Sequence, residues 1–216
     1  MVEHVFAVAG PLGSGKSTAA KMIASIIRHD GRFARVVEMS DYVRSEYNAY
    51  CDDGASDNEL GEWAAKQKDA DGAGCFASDI AELYDDDDAE LIVSGIRCPE
   101  EIDALEAHYG ADSVTTVAVW TYPDIRFERK YGAPIRADHN KYSTFIERNE
   151  RELDEWGCAD IYVDDETEFV ISNNETQLNL QRQLLIVVDS VYGTILDDPI
   201  ENPFDGLDAS ECRSFL

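Results

Sequence analysis

The feature that most constrains this chain is the segment of residues 10–18, which fits the spacing G-x-x-x-x-G-K-[ST]. The apolar run Val5–Ala9 precedes it and is typical of a buried strand. The run 18–28 that follows is rich in Ala, Ile and Met and predicts a helix. A strand, a glycine-rich turn and a helix are the setting in which this motif binds phosphate. We therefore predict that residues 10–18 form a phosphate-binding loop, with a chance glycine-rich turn as the alternative.

The residue types of this loop suit an anionic ligand. Glycines let successive backbone N–H groups turn inward, and the start of the following helix adds positive potential. We expect Lys16 to hold the outer phosphates of a nucleotide and to take part in catalysis, and Ser17 to bind Mg²⁺. The predicted nucleotide-binding residues are Gly10, Gly13, Ser14, Gly15, Lys16, Ser17 and Thr18, together with Asn173 in a turn after the last predicted strand.

The charge of the chain is strongly negative, with 45 Asp and Glu against 18 Lys and Arg and a net charge of −27. The acids are spread along the whole chain, and lysine is scarcer than arginine. This pattern fits a halophilic protein, whose self-repulsion is screened by molar salt, better than it fits an acidic surface for one partner. Because the same charge would repel a phosphate backbone, we expect no nucleic-acid partner.

The length of 216 residues accommodates one α/β domain with an inserted lid. No apolar run is long enough to span a membrane, and the first predicted strand begins too early for a signal peptide. We therefore expect a cytoplasmic protein with no membrane partner. The cysteines form no C-x-x-C pair and are expected to be reduced thiols. They are Cys51, Cys75, Cys98, Cys158 and Cys212.

Four further strands are predicted by apolar and β-branched runs, at residues 34–39, 91–93, 114–121 and 168–172. Asp41 and Arg44 follow the first of these strands, one helical turn apart, and ligands of open α/β sheets bind at the carboxyl ends of strands. We expect Asp41 to orient an acceptor or a Mg²⁺-bound water, and Arg44 to hold an acceptor phosphate. The alternative is that Asp41 only caps the next helix.

The end of the strand at 91–93 supplies two more candidates for acceptor binding. Gly95 permits a ligand to approach closely, and Arg97 would point toward the same crevice, unless it is an ordinary surface arginine. Proteins with this kind of loop often carry a carboxylate at the end of such a strand, where it holds Mg²⁺ through water. Ser94 stands at that position here, so the sequence assigns no second Mg²⁺ ligand.

Arginines are concentrated in one region of this arginine-poor chain, since half of the total lies between Arg97 and Arg151. Guanidinium groups match phosphate oxygens and stabilise the charge of a phosphoryl group in transfer. The segment predicts a helix, a polar loop and a helix that fold over a bound nucleotide. The five arginines of this flap are Arg126, Arg129, Arg136, Arg148 and Arg151. The alternative is ion pairing within helices, such as Glu147 with Arg151.

Taken together, these segments resemble the nucleoside monophosphate kinase-like branch of P-loop proteins. The chain is particularly similar to an archaeal family related to adenylate kinases and dephospho-CoA kinases. Besides the phosphate-binding loop, the resemblance is carried by residues 40–44, 93–97, 126–129 and 145–153, and it covers about residues 4 to 190. It implies a three-layer α/β/α domain with a five-stranded parallel sheet over residues 1–196. It also implies a helical acceptor-binding insert at about 42–88 and an arginine-rich lid at about 127–148. Residues 197–216 are expected to form an acidic mobile tail.

The resemblance further implies transfer of the γ-phosphoryl group of ATP, with Mg²⁺, to a small phosphorylated or hydroxylated acceptor. In that scheme Arg44 and Arg97 hold the acceptor, and Arg126, Arg129 and Arg136 neutralise charge in the transition state. A nucleoside monophosphate-type acceptor is the first expectation. A hydroxyl acceptor, as in dephospho-CoA kinases, is the second and would use Asp41 as the base. A nucleotide-binding regulator without acceptor chemistry is the third. The sequence does not name the acceptor or the oligomeric state.

Overall fold

Five parallel strands form the centre of the protein, in a computed structural model that describes residues 2–50, 56–132 and 139–193 together with Asp208. In chain order the strands are β1 (Val5–Ala9), β2 (Ala34–Glu38), β3 (Glu90–Ile96), β4 (Val114–Trp120) and β5 (Phe169–Ser172). Their order across the sheet is β2-β3-β1-β4-β5, and each neighbouring pair is parallel. The predicted five-stranded parallel sheet is thereby confirmed. β1 lies in its middle and is fully buried, as expected for a strand covered on both faces.

Helices cover both faces of this sheet, because alternate residues of each strand point to opposite sides. The described α-helices are α1 (Lys16–His29), α2 (Met39–Tyr50), α3 (Asp57–Asp71), α4 (Cys75–Tyr84), α5 (Pro99–Tyr109), α6 (Pro123–Tyr131), α7 (His139–Glu150) and α8 (Gln177–Tyr192). Phe6 and Val8 of β1 pack with α1 and α8 on one face. Val5 and Ala7 pack with α2, α4 and α5 on the other. None of the described helices is long and apolar enough to cross a membrane.

Three differences from the predicted extents bear on the site. α2 begins at Met39, directly after β2, so Asp41 lies in its first turn rather than in a preceding loop. β3 continues to Ile96, because Ser94 keeps its place in the ladder opposite both Val8 of β1 and Glu38 of β2. The second helix of the predicted flap is α7 followed by a π-helical turn, Arg151–Glu155. Such turns widen a helix by one residue and are frequent at functional sites.

The segment predicted as an insert folds as α2, α3 and α4, which share an aromatic core. The ring of Trp63 lies 5.7 Å from that of Tyr47 and 5.9 Å from that of Phe76, centroid to centroid. Residues 51–55, within this segment, lie outside the described part of the chain. The aromatic burial fixes these three helices to the β2 and β3 side of the sheet, since Phe76 belongs to the same core as Val37 and Val93.

The segment predicted as a lid includes α6 and α7, which are also joined by aromatic side chains. Phe127 of α6 packs with Tyr142 and Phe145 of α7, at ring distances of 5.3 and 5.6 Å. Residues 133–138, between the two helices, lie outside the described residues, as does the predicted tail apart from Asp208. Of the cysteines, Cys75, Cys98 and Cys158 are free thiols, and the other two fall in the undescribed segments.

Candidate phosphate-binding site

The phosphate-binding loop runs from the end of β1 to the start of α1, as the motif predicts. Gly15 immediately precedes α1 with φ +99°, a backbone conformation that favours glycine. A Cβ on Gly15 would clash with the side-chain nitrogen of Asn173, and one on Gly10 would lie 2.7 Å from the carbonyl oxygen of Val119. Glycine is therefore required here both by the backbone angle and by close contacts with β4 and the end of β5.

The middle of the loop is tied to the carboxyl ends of β4 and β5 through the carbonyl of Ser14. Asn173 Nδ2 and Thr121 Oγ1 each donate a hydrogen bond of 2.8 Å to this oxygen. Asn173 was predicted to contact the nucleotide. In the structure its buried side chain contacts the loop itself, so its geometry is that of a residue that shapes the loop.

Arg126 of α6 also supports the loop. Its side chain is fully buried, and Nη1 donates to the carbonyl of Leu12 at 3.1 Å and to Asn149 Oδ1 at 2.7 Å. Its Nε donates to the carbonyl of Thr121 at 3.0 Å, and burial lowers the pKa of Arg126 to about 10. Arg126 Nη2 is buried without a hydrogen-bond partner among the described residues. Most hydrogen-bond donors of this guanidinium thus bind protein groups, in the loop, in α7 and just after β4.

Lys16 lies at the base of the loop and is almost completely buried. Its ammonium group donates to the carbonyl of Pro11 at 2.9 Å. Burial, together with the positive charges of Arg97 and Arg126, lowers the pKa of Lys16 to about 8, while Glu152 opposes the shift. Lys16 therefore loses its proton more readily than an exposed lysine does. A bound anion nearby would raise the pKa of Lys16 again.

Glu152 was not identified as a site residue from the sequence. It lies in the π-helical turn after α7, it is fully buried, and its Oε2 accepts a 2.6 Å hydrogen bond from the backbone N–H of Leu12. Arg148 Nε approaches its other oxygen at 3.4 Å. Burial alone would raise the pKa of Glu152, but the charges of Arg97, Lys16 and Arg148 and the Leu12 amide outweigh it and keep the pKa below its usual value. The one sequence signal was its position four residues after Arg148.

A hydroxyl and a carboxylate meet beside the start of α1. Ser17 Oγ donates to Glu38 Oε2 at 3.0 Å, and Glu38 is the last residue of β2. The second oxygen of Glu38 and the hydroxyl of Ser94 are buried, and neither has a hydrogen-bond partner in the described ranges. Glu38 and Ser94 are direct neighbours in the sheet register. Glu38, on the strand next to Ser94, thus supplies a carboxylate at this edge of the sheet. The sequence analysis did not identify it. Hard oxygen donors of this kind fit Mg²⁺.

Arg97 is brought to the phosphate-binding loop, as predicted from its position after β3. Its guanidinium lies 5.2 Å from the ring centre of Trp156 and is close enough to Lys16 and Glu152 to shift the pKa of both. Its buried Nε has no hydrogen-bond partner in the part of the chain that the structure describes. Gly95, with φ +103°, allows β3 to approach α2, because a Cβ there would lie 3.1 Å from that of Met39.

The remaining candidates are Asp41, Arg44, Arg129, Arg136 and Arg151. Asp41 is exposed in the first turn of α2, and Arg44 is half-buried one turn later. Arg129 Nη2 donates to the carbonyl of Asn173 at 2.8 Å. Arg151 pairs with Glu155 at 3.8 Å, which is helical ion pairing with a different partner from the one predicted. Arg136 lies outside the described residues.

Two of the solved structures with similar folds are small-molecule kinases. A shikimate kinase from Acinetobacter baumannii in complex with shikimate superposes with a TM-score of 0.53 at 12% identity, covering 91% of this chain and 97% of that one. An APS kinase from Mycobacterium tuberculosis in complex with AMPPNP and APS gives 0.53 at 19% identity, covering 89% and 98%. At these identities the likeness establishes the fold, which is that of P-loop kinases.

Sequence relatives are archaeal. A UPF0200 protein of Saccharolobus islandicus is 29% identical over 188 residues, covering 87% of this chain and 93% of that protein. A UPF0200 protein of Methanococcus maripaludis is 33% identical over 154 residues, covering 68% of this chain and 76% of that protein. No family model matches the chain. From the second relative, whose length is covered by more than two thirds, we conclude that this chain belongs to the UPF0200 family.

Proposed function

We propose that this protein is a kinase that uses ATP and Mg²⁺ to transfer a phosphoryl group to a small molecule. The observation that carries the proposal is the convergence of Lys16, Arg97 and Arg148 on one carboxylate at the phosphate-binding loop. In a chain of net charge −27, three cations around a single acid form a local site of opposite sign. Such a site suits a polyanionic ligand such as the phosphates of a nucleotide.

Each part of the site has a proposed role in phosphoryl transfer. The loop amides and Lys16 hold the β- and γ-phosphates, while Asn173 acts by holding the loop in shape. Arg126, expected to neutralise transition-state charge, is assigned that role only through its unpartnered Nη2, because its other donors support the loop. Arg129 and Arg136 are proposed to add positive charge from the lid.

Mg²⁺ is proposed to bind at Ser17, with Glu38 as the second oxygen donor. The fit rests on the 3.0 Å contact between the two side chains and on the unpartnered Glu38 oxygen beside Ser94. When bound, the ion supplies positive charge to the phosphate oxygens. The protein groups orient it from the carboxyl edge of the sheet, where β2 and α1 meet.

The acceptor is proposed to be a nucleoside monophosphate-type molecule, held by Arg97 and Arg44 beside Gly95. The unpartnered Nε of Arg97 favours a phosphorylated acceptor, since a guanidinium with a free donor matches a phosphate oxygen. Asp41 would orient such an acceptor and need not act as a base. We further propose that residues 42–88 are the acceptor-binding insert and 127–148 the lid of one kinase domain, in a cytoplasmic and salt-adapted protein with no nucleic-acid or membrane partner.

An acceptor screen at molar KCl tests this function. Release of ADP from ATP and Mg²⁺ is followed with nucleoside monophosphates, with hydroxylated coenzyme precursors and with no acceptor, and Lys16→Met serves as the inactive control. We expect a phosphorylated acceptor to raise ADP release and Lys16→Met to abolish it. If ATP binds but ADP release stays at the background level with every acceptor, the kinase function is wrong and a nucleotide-binding regulator remains.

The variant Asp41→Asn distinguishes a kinase with a phosphorylated acceptor from one with a hydroxyl acceptor. A phosphorylated acceptor predicts a modest effect on kcat, because Asp41 then acts in orientation alone. A hydroxyl acceptor predicts a loss of kcat of roughly 10²-fold or more, since a general base would be missing. Glu46→Gln, on the same helix, is the matched control.

A further inference from the structure

Glu152 places a carboxylate where the phosphate-binding loop offers a donor to a ligand. Its Oε2 accepts the Leu12 N–H at 2.6 Å, which is a short charge-assisted hydrogen bond. The carboxylate is fully buried and surrounded by Lys16, Arg97 and Arg148. Amide and cationic donors in this arrangement are those that an oxygen of a phosphate group would use.

The position of Leu12 indicates which phosphate would compete for this donor. In loops of this type the amides next to the helix hold the α- and β-phosphates, and the lysine reaches the β- and γ-phosphates. Leu12 lies upstream of that stretch, at the end of the loop away from α1, and Glu152 is coupled electrostatically to Lys16. We therefore expect the outermost phosphate of a triphosphate to compete for this amide, and we expect a diphosphate not to reach it.

We propose that Glu152 takes the place of a terminal-phosphate oxygen in the nucleotide-free protein and that a nucleoside triphosphate must displace it. This inference rests on the proposed nucleotide site. Two anions cannot share one N–H fully, and their mutual repulsion in a buried site adds to the competition. Glu152 lies in the π-helical turn that follows α7, so its displacement also releases the contact between this turn and the loop. Arg148 then loses its carboxylate partner and becomes available to the phosphate.

The variant Glu152→Gln tests the proposal, because it removes the charge and nearly preserves the shape. Binding of ADP and of a non-hydrolysable ATP analogue is measured by calorimetry, with Mg²⁺ and at molar KCl. We expect the analogue to bind about tenfold more tightly than to the wild type, and ADP to bind within about twofold, since only the triphosphate competes with Glu152. Glu155→Gln is the control, since Glu155 lies in the same π-helical turn but is exposed.

The outcomes distinguish this proposal from the proposed function. If both nucleotides gain or lose affinity equally, or if the analogue binds more weakly, Glu152 supports the loop and the displacement idea is wrong. If the wild type binds neither nucleotide, the proposed kinase function fails.

A measurement on the wild type covers the case in which Glu152→Gln does not fold. With ¹⁵N-Leu and ¹³C-Pro labelling, the Leu12 amide is identified by its neighbour Pro11. Its resonance should change on adding the triphosphate analogue and stay close to its initial position with ADP. An amide that is unmoved by the triphosphate would overturn the proposal.

Discussion

The side chain of Asn173 donates a 2.8 Å hydrogen bond to the carbonyl of Ser14, and this bond joins the end of β5 to the middle of the phosphate-binding loop. Thr121, just after β4, donates to the same oxygen at the same distance. The curvature of the loop therefore depends on two strands that lie far from it in sequence. A change at Asn173 should affect the ligand site more than the stability of the fold.

Asn173→Ala is expected to weaken nucleotide binding about tenfold, because the loop loses a buried hydrogen bond that sets its shape. Thermal unfolding should shift by only about 2–4 °C for a chain of this size. Calorimetric titration with ADP and a melting curve at molar KCl measure both. Gln177→Ala, an exposed change at the start of α8, should alter neither. Unchanged nucleotide affinity in Asn173→Ala would contradict a loop-shaping role.

A methyl group at Gly15 should abolish nucleotide binding. The added Cβ would clash with the Asn173 side chain, and the φ of +99° is unfavourable for alanine. Gly31→Ala is a matched control, because Gly31 has a similar φ of +85° but no atoms within 4 Å of an added Cβ. Both variants should lose roughly 1 kcal/mol from backbone strain. Loss of ADP binding confined to Gly15→Ala is the expected result, and equal binding by both variants would show that the Asn173 contact is unimportant.

The affinity for nucleotide should fall above pH 8. Burial, together with the charges of Arg97 and Arg126, lowers the pKa of Lys16 to about 8, while Glu152 opposes this shift. Buried Cys158, which lies close enough to Lys16 to affect its pKa, has its own pKa raised to about 12 and stays protonated, so it does not mask the titration of Lys16 in this range. Phosphate binding favours the protonated lysine, so the dissociation constant should rise by up to roughly tenfold per pH unit above 8.

Titration calorimetry between pH 6.5 and 9.5, in buffers of different ionisation enthalpy, would detect the accompanying proton uptake. Lys16→Arg keeps the charge and should lose this pH dependence. The free energy of unfolding depends on pH in the opposite direction to nucleotide affinity. The unfolded chain binds more protons between pH 8 and the ordinary lysine value of 10.5, so this group makes the unliganded protein more stable as pH rises through that interval. A flat affinity profile would mean that Lys16 keeps its ordinary pKa.

Glu38→Gln should weaken the use of Mg²⁺ while leaving the binding of metal-free nucleotide unchanged. The variant replaces one oxygen of the carboxylate that accepts from Ser17. We expect the Mg²⁺ concentration for half-maximal ATP binding to rise about tenfold, since a charged oxygen donor is lost. A titration of Mg²⁺ at fixed ATP checks this, with the exposed change Glu62→Gln as the control. An unaltered Mg²⁺ requirement would remove Glu38 from the metal site.

The parts of the fold that depend on local sequence were predictable. The motif at residues 10–18 and its flanking apolar runs predicted β1, the loop and α1 in the right order, and hydrophobic runs predicted all five strands. Ends of elements were less predictable, since tertiary pairing decides them. The sequence predicts that the strand ends before Ser94. In the structure, Ser94 pairs with Val8 and Glu38, and β3 extends to Ile96.

The candidate site was only partly predictable, because its geometry depends on contacts between distant residues. The carboxylate of Glu152 meets Leu12 across 140 positions, and its spacing of four residues from Arg148 indicates a helical ion pair but no contact with the loop. Arg126 and Asn173 were predicted from residue type, but sequence cannot distinguish a guanidinium or amide that faces a ligand from one buried under the loop. Burial and hydrogen-bond partners decide that difference.

The support of the phosphate-binding loop by Thr121, Arg126, Glu152 and Asn173 has a consequence for biosynthesis. The motif is synthesised before the groups that shape it, which lie 107 to 159 residues further along the chain. A nascent chain that ends before β4 therefore carries the whole motif without any of the groups that set its geometry. If the loop binds nucleotide as proposed, the ligand stabilises only chains that have completed this folding. The same few hydrogen bonds would then link the quality control of this protein to its nucleotide affinity.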